Sequence, residues 1–138
     1  MDAVTSEEAM RREVIPLMGG ALAREYGWTF EIAGLVVYVT LCPRRVKDRK
    51  FLLRVSFDEY SKLAPSYGFA NPESRQVDVA AAPPNVLHPT GGICCPGTRE
   101  FHEGLHRGDV AHPWDPSRYT VANTIQNIQR LMERGVSA

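Results

Sequence analysis

A large part of this 138-residue chain cannot be drawn as helix or sheet. Prolines at Pro72, Pro83, Pro84, Pro89, Pro96, Pro113 and Pro116, with Gly91, Gly92, Gly97, Gly104 and Gly108, interrupt every regular period after Asn71. Each proline removes a backbone donor and each glycine loosens the chain, so roughly 45 residues must follow an irregular path. A path of that length inside a domain is uncommon and is usually a working surface held by its neighbours. The regular periods on either side must therefore supply the scaffold.

Upstream, Met10, Val14, Leu17, Met18, Ala21 and Leu22 recur at helical spacing within Thr5 to Tyr26, and Thr5 with Glu8 fits a capping box. Pro16 and the pair Gly19-Gly20 predict a kink or break near Pro16, since proline inside a helix costs ~3 kcal/mol. From Trp28 to about Phe69 the period becomes two: Phe30 and Ile32, then β-branched Leu35 to Leu41, then Phe51, Leu53, Val55 and Phe57, with a short fourth strand near Tyr67 to Phe69. Short connections at Gly34 and Pro43 to Lys50 predict antiparallel neighbours in a meander with one face against helix. Downstream, Thr120 is a good N-cap, Val121, Ile125, Ile128, Leu131 and Met132 keep helical spacing, and Gly135 is expected to close that helix. The class is α+β, one domain over residues 1–138: an N-terminal helix, a four-stranded antiparallel meander, an irregular segment and a C-terminal helix.

Composition excludes several functions. With 16 basic and 16 acidic residues the formal charge is zero, which argues against a chain built to neutralise phosphate backbones. The longest apolar runs fall far short of the roughly 20 residues of a membrane span. The start, MDAVTSEEAM, is acidic where a secretory signal is basic and then apolar, so a cytoplasmic protein with reduced thiols is expected.

Those thiols are Cys42, Cys94 and Cys95. Cys42 ends an apolar strand and reads as core. Cys94 and Cys95 lie on a glycine-flanked irregular stretch that a large partner can approach; their own pattern leaves reactive thiol, buried structural thiol and metal ligand open. The loop also carries His102, His106 and His112; His102 and His106 have the spacing of two metal ligands on one helical turn, but no Cys-x-x-Cys pair accompanies them, and exposed loop or helix-capping histidines are the simpler reading, with a role near the thiol also open.

The order of motifs resembles the ubiquitin-conjugating enzymes, including the compact bacterial relatives of ubiquitin-like conjugation operons. His88-Pro89 matches the start of the family's His-Pro-Asn, Gly92-Ile93-Cys94 its cysteine motif, and Trp114-Asp115-Pro116 the Trp-x-Pro before an amphipathic helix; Phe51 to Phe57 with Tyr60 and Pro65 resembles its third strand and following turn. The resemblance spans nearly the whole chain. It departs at several points: Thr90 stands for the family's asparagine, the spacer to Cys94 is short, Cys95 stands for a leucine, and Pro96 to Pro113 is longer than the usual connection. The second cysteine leaves the choice between the two thiols open, with Cys94 favoured because it follows Ile93.

What the resemblance implies is a cysteine, Cys94, that takes a ubiquitin-like protein as a thioester from an activating enzyme and passes it to a lysine or other nucleophile on a protein target. No cofactor, metal, nucleic acid or membrane is involved, and antiviral defence is the expected setting. His88 is implied to shape the loop of the site. Such a thiol needs no adjacent base to accept an already activated acyl group, so the protein's work is positional, with an acidic side chain among Glu100, Glu103, Asp109 and Asp115 helping the incoming lysine lose its proton. The basic tip Arg44 to Lys50 reads first as a solvated hairpin tip; the resemblance implies a second reading, in which Arg11, Arg12 and this tip are docking charges for the activating enzyme. The competing readings are a catalytically inactive variant that binds a ubiquitin-like protein, and a zinc-stabilised interaction domain.

Overall fold

Asp2 starts the first helix, α1 (Ala3–Met18), by accepting the Thr5 amide on its side chain at 2.9 Å. The N-cap is therefore Asp2 and not Thr5, because a carboxylate is available three residues earlier. The computed structural model describes residues 2–136. Pro16 lies inside α1, and the break falls later, at Gly19-Gly20, before a short α2 (Ala21–Tyr26). The glycine pair, and not the proline, ends the helix: Gly19 is the C-cap of α1 and Gly20 the N-cap of α2.

Four strands follow, β1 (Thr29–Ala33), β2 (Val36–Leu41), β3 (Phe51–Ser56) and β4 (Ser66–Ala70), paired antiparallel in the order β1-β2-β3-β4. Their register builds two apolar rungs, Phe30-Val39-Leu53-Phe69 and Ile32-Val37-Val55-Tyr67. Side chains alternate across a strand, so these rungs share one face, and it carries the core with Met10, Val14 and Leu17 of α1. The opposite face carries Glu31, Tyr38 and Arg54 with the Arg75 guanidinium over the Tyr38 ring and paired to Glu31.

The last helix, α3 (Val121–Val136), buries Ile125, Ile128 and Met132 in the same core. Thr120 caps it, accepting the Asn123 amide on Oγ1 at 3.2 Å. Gly135 does not close it: the residue lies within α3, its Cα facing the Pro84 carbonyl so closely that a side chain would collide. Glu13 of α1 fastens the start of α3 by accepting the Val121 amide at 3.0 Å and also takes the Tyr60 hydroxyl. Gln129, fully buried, joins α3 to the sheet: its Oε1 accepts the Trp28 indole N–H and its Nε2 donates to the Cys42 carbonyl, each at 3.0 Å. No helix among the described residues is long and apolar enough to cross a membrane.

Candidate active site

The irregular segment leaves β4 through an Asn71 turn, in which the Asn71 side chain accepts the Glu73 and Ser74 amides. It then runs back beside β4, where the Asp78 amide reaches the Phe69 carbonyl at 2.9 Å. Leu87 and Ile93 form an isolated antiparallel bridge that closes a turn over His88 to Gly92. Within that turn the His88 amide donates to the Gly92 carbonyl and the Gly91 amide to the His88 carbonyl. Gly91 takes φ +103°, a conformation other residues rarely adopt. His88 Nδ1 lies 2.8 Å from the Thr90 hydroxyl, so this histidine and the residue replacing the family's asparagine brace one another inside the turn.

The turn delivers its last three residues in alternation. Ile93 is 1% exposed, Cys94 is exposed and Cys95 is 3% exposed. The two buried neighbours anchor the backbone and turn the Cys94 sulfur outward. Burial pushes the Cys95 thiol up to about 11, helped by the neighbouring Cys94, so at neutral pH it stays protonated. Cys42, read from the sequence as core, is only half-buried; its thiol points to the Lys47 carbonyl at 2.9 Å in the basic hairpin, and burial raises it as well.

Behind Cys94 the chain is latched. Buried Thr98 donates to the Cys95 carbonyl at 2.9 Å, accepts the Phe101 amide, and so starts a short π-helical turn, Glu100–Leu105. Gly97, at φ +102°, faces Thr124 of α3 with no room for a Cβ. Its amide donates to His102 Nε2 at 3.0 Å. Arg99 pairs with Asp58 and donates to the Ala64 carbonyl, while Glu100 accepts the Ser66 hydroxyl and the Tyr67 amide. Trp114, half-buried, donates its indole N–H to the Ser61 carbonyl and packs with His102 and Tyr119.

His102 is therefore a buried latch and not an exposed loop residue. Its desolvation holds the imidazole below its ordinary 6.5, with the nearby Glu103, His112 and Asp109 acting on it more weakly. The neutral ring accepts from Gly97, a role protonation of Nε2 ends. Its stabilisation is present above about pH 6.5 and is lost as pH falls through the lowered folded value. Urea midpoints measured between pH 7.5 and 5.5 are expected to fall more steeply for the native chain than for His102→Gln.

One histidine stands beside the thiol, with a carboxylate and a second histidine behind it. His106 Nε2 lies 3.7 Å from Cys94 Sγ, and its Nδ1 lies 3.6 Å from Asp109 Oδ2. The His106 ring stacks on buried Phe101, with centroids 4.2 Å apart. Asp109 also accepts the Ala111 amide and faces His112 Nδ1 at 3.3 Å. The Ala111 bond and the two histidines hold its carboxyl below the ordinary range. Of the four acidic residues singled out from the sequence, Glu100 is spent on β4, Asp115 caps the turn through Ser117, and Asp109 stands with the thiol's histidine. The sequence leaves a role near the thiol open for the loop histidines as a minor reading, without singling out His106. The i, i+4 spacing of His102 and His106 drew attention to a metal pair, whereas one of them faces the backbone and the other the sulfur. Among the described residues no group of three or more His, Cys, Asp or Glu side chains is placed to hold a metal ion.

A cleft of about 280 Å³ opens beside Cys94, lined by Pro96 and by Asn127, Arg130, Leu131 and Arg134 of α3. A second, of about 130 Å³, runs along β4 past Gly68, Val77, Val79 and Gly92 to Ile93. No protein-family model matches the chain, and a search of curated proteins finds no significant match.

Proposed function

We propose that this protein is a conjugating enzyme for a ubiquitin-like protein, with Cys94 as the residue that carries the acyl group. The observation that carries this reading is the opposite burial of adjacent thiols: Cys94 stands exposed while Cys95 is sealed below it. A large acyl donor can reach only a sulfur on an open ledge, and the clefts beside Cys94 and along β4 to Ile93 suit an extended polypeptide tail. The motif order around Cys94 and the sheet-and-helix layout add support. Exchange begins when the Cys94 sulfur attacks the thioester carbon presented by the activating enzyme: a new carbon–sulfur bond forms, the old one breaks, and the donor cysteine leaves as thiolate. A target amine then attacks the Cys94 thioester, forming an amide and returning the cysteine. His88 shapes the turn that presents the thiol, and the exposed arginines of the Pro43–Lys50 hairpin offer a basic face to the activating enzyme.

The test is to incubate the protein with an activating enzyme, ATP and a candidate ubiquitin-like protein. An adduct that disappears on treatment with reductant supports the reading. The absence of any adduct across a panel of activating enzymes with their ubiquitin-like proteins would count against it, and zinc in stoichiometric amount by elemental analysis would favour the interaction-domain alternative.

A further inference from the structure

We propose that His106, oriented by Asp109, is the general base of the Cys94 site. This deepens the conjugation reading and rests on it only for the identity of the acyl group. Three independent contacts fix the imidazole: its Nε2 is 3.7 Å from the Cys94 sulfur, its Nδ1 faces the Asp109 carboxylate at 3.6 Å, and its ring lies flat on Phe101. The backbone reinforces this, because the His106 amide donates to the Phe101 carbonyl at 2.8 Å and the Asp109 amide to the His106 carbonyl at 3.1 Å. A carboxylate at Nδ1 favours a proton there and leaves Nε2 as the basic nitrogen toward sulfur. Thiol, imidazole and carboxylate thus stand in the order that nucleophilic catalysis requires.

The relay changes what the site can do. In acylation the Cys94 S–H proton passes to His106 Nε2 as sulfur forms its bond to the acyl carbon, and as the old bond breaks the imidazolium gives that proton to the departing leaving group, so that Nε2 is free again for discharge. In discharge an amine or water attacks the thioester carbon, its proton passes to Nε2, the carbon–sulfur bond breaks, and the Cys94 thiolate regains a proton from the imidazolium. His106 thereby supplies the proton acceptor that the sequence reading sought among the acidic residues. Asp109 is a positioning residue, acting through the ring.

The probe is p-nitrophenyl acetate, with glycinamide as acceptor. The native protein is expected to release nitrophenolate in a burst of one equivalent and then to transfer acetyl to glycinamide. His106→Ala is expected to slow both phases by about 100-fold, and added imidazole to restore at least part of that loss. The His106 side chain is 42% exposed and lies outside the hydrophobic core, so this variant is expected to keep the fold, which thermal melting checks. Asp109→Asn is expected to mix the His106 tautomers in ¹⁵N spectra and to slow discharge about 10-fold. Unchanged rates in His106→Ala, or a slowing that imidazole does not relieve, overturns the proposal. The two readings fail separately. A ubiquitin-like adduct that forms and discharges normally in His106→Ala removes the base and keeps conjugation; imidazole-responsive ester chemistry without any such adduct keeps the base and removes conjugation.

Discussion

Replacing Cys94 by serine is expected to convert the reductant-sensitive adduct of the proposed conjugating enzyme into one that survives thiol treatment, and replacing it by alanine is expected to abolish the adduct altogether. Serine retains a nucleophilic atom in nearly the same place, so an acyl group that reaches it is held as an oxygen ester, which reductant does not cleave. Alanine leaves nothing to acylate. Cys95→Ala, by contrast, is expected to retain the adduct, because the Cys95 sulfur is 3% exposed and burial holds its thiol protonated near neutrality. It loses some packing, at about 1 kcal/mol for a small side chain against Ile93 and the α3 face. Mass spectrometry of the adduct checks both halves, and an adduct lost in Cys95→Ala but kept in Cys94→Ala moves the carrier to the buried position.

The largest stability effect is expected at Gln129. This side chain of α3 is fully buried and bonded at both ends, to the Trp28 indole and the Cys42 carbonyl. Gln129→Leu keeps the volume but orphans a buried N–H and a carbonyl at once. Each orphan costs about 1–3 kcal/mol, so a loss of about 2–6 kcal/mol is expected by urea unfolding. Removing the donor as well, in Gln129→Leu with Trp28→Phe, is expected to cost less than the two single changes added together, because the second substitution deletes a group the first left unpaired. A loss under about 0.5 kcal/mol in Gln129→Leu would mean that water or another group takes over both bonds.

The regular elements were readable because their hydrophobic periods are undisturbed. Val37, Val39 and Leu41 alternate with half-buried residues as a one-sided sheet demands, and Ile125, Ile128 and Met132 recur as a helix face demands. Boundaries were less readable where local chemistry competes. Thr5 has the side chain of an N-cap, but Asp2 takes the cap; Gly135 has the freedom of a helix stop, yet it is there for the close approach of Pro84. In the irregular segment, burial alternates through Ile93, Cys94 and Cys95 because Thr98 and Gly97 pin the backbone from the far side. No local period reports such a latch. The pairing of Cys94 with His106 depends on a π-helical turn whose i, i+4 histidines diverge, one toward the Gly97 amide and one toward the sulfur. Spacing alone treats the two as equivalent, and only their different neighbours separate them.

One measurement bears most directly on the open sulfur. Folded protein treated with substoichiometric iodoacetamide at neutral pH, digested and mapped by mass spectrometry, is expected to carry the label at Cys94, with Cys95 modified only after denaturation and Cys42 well behind. Label appearing first at Cys95 or Cys42 would contradict Cys94 as the residue that carries another protein's tail.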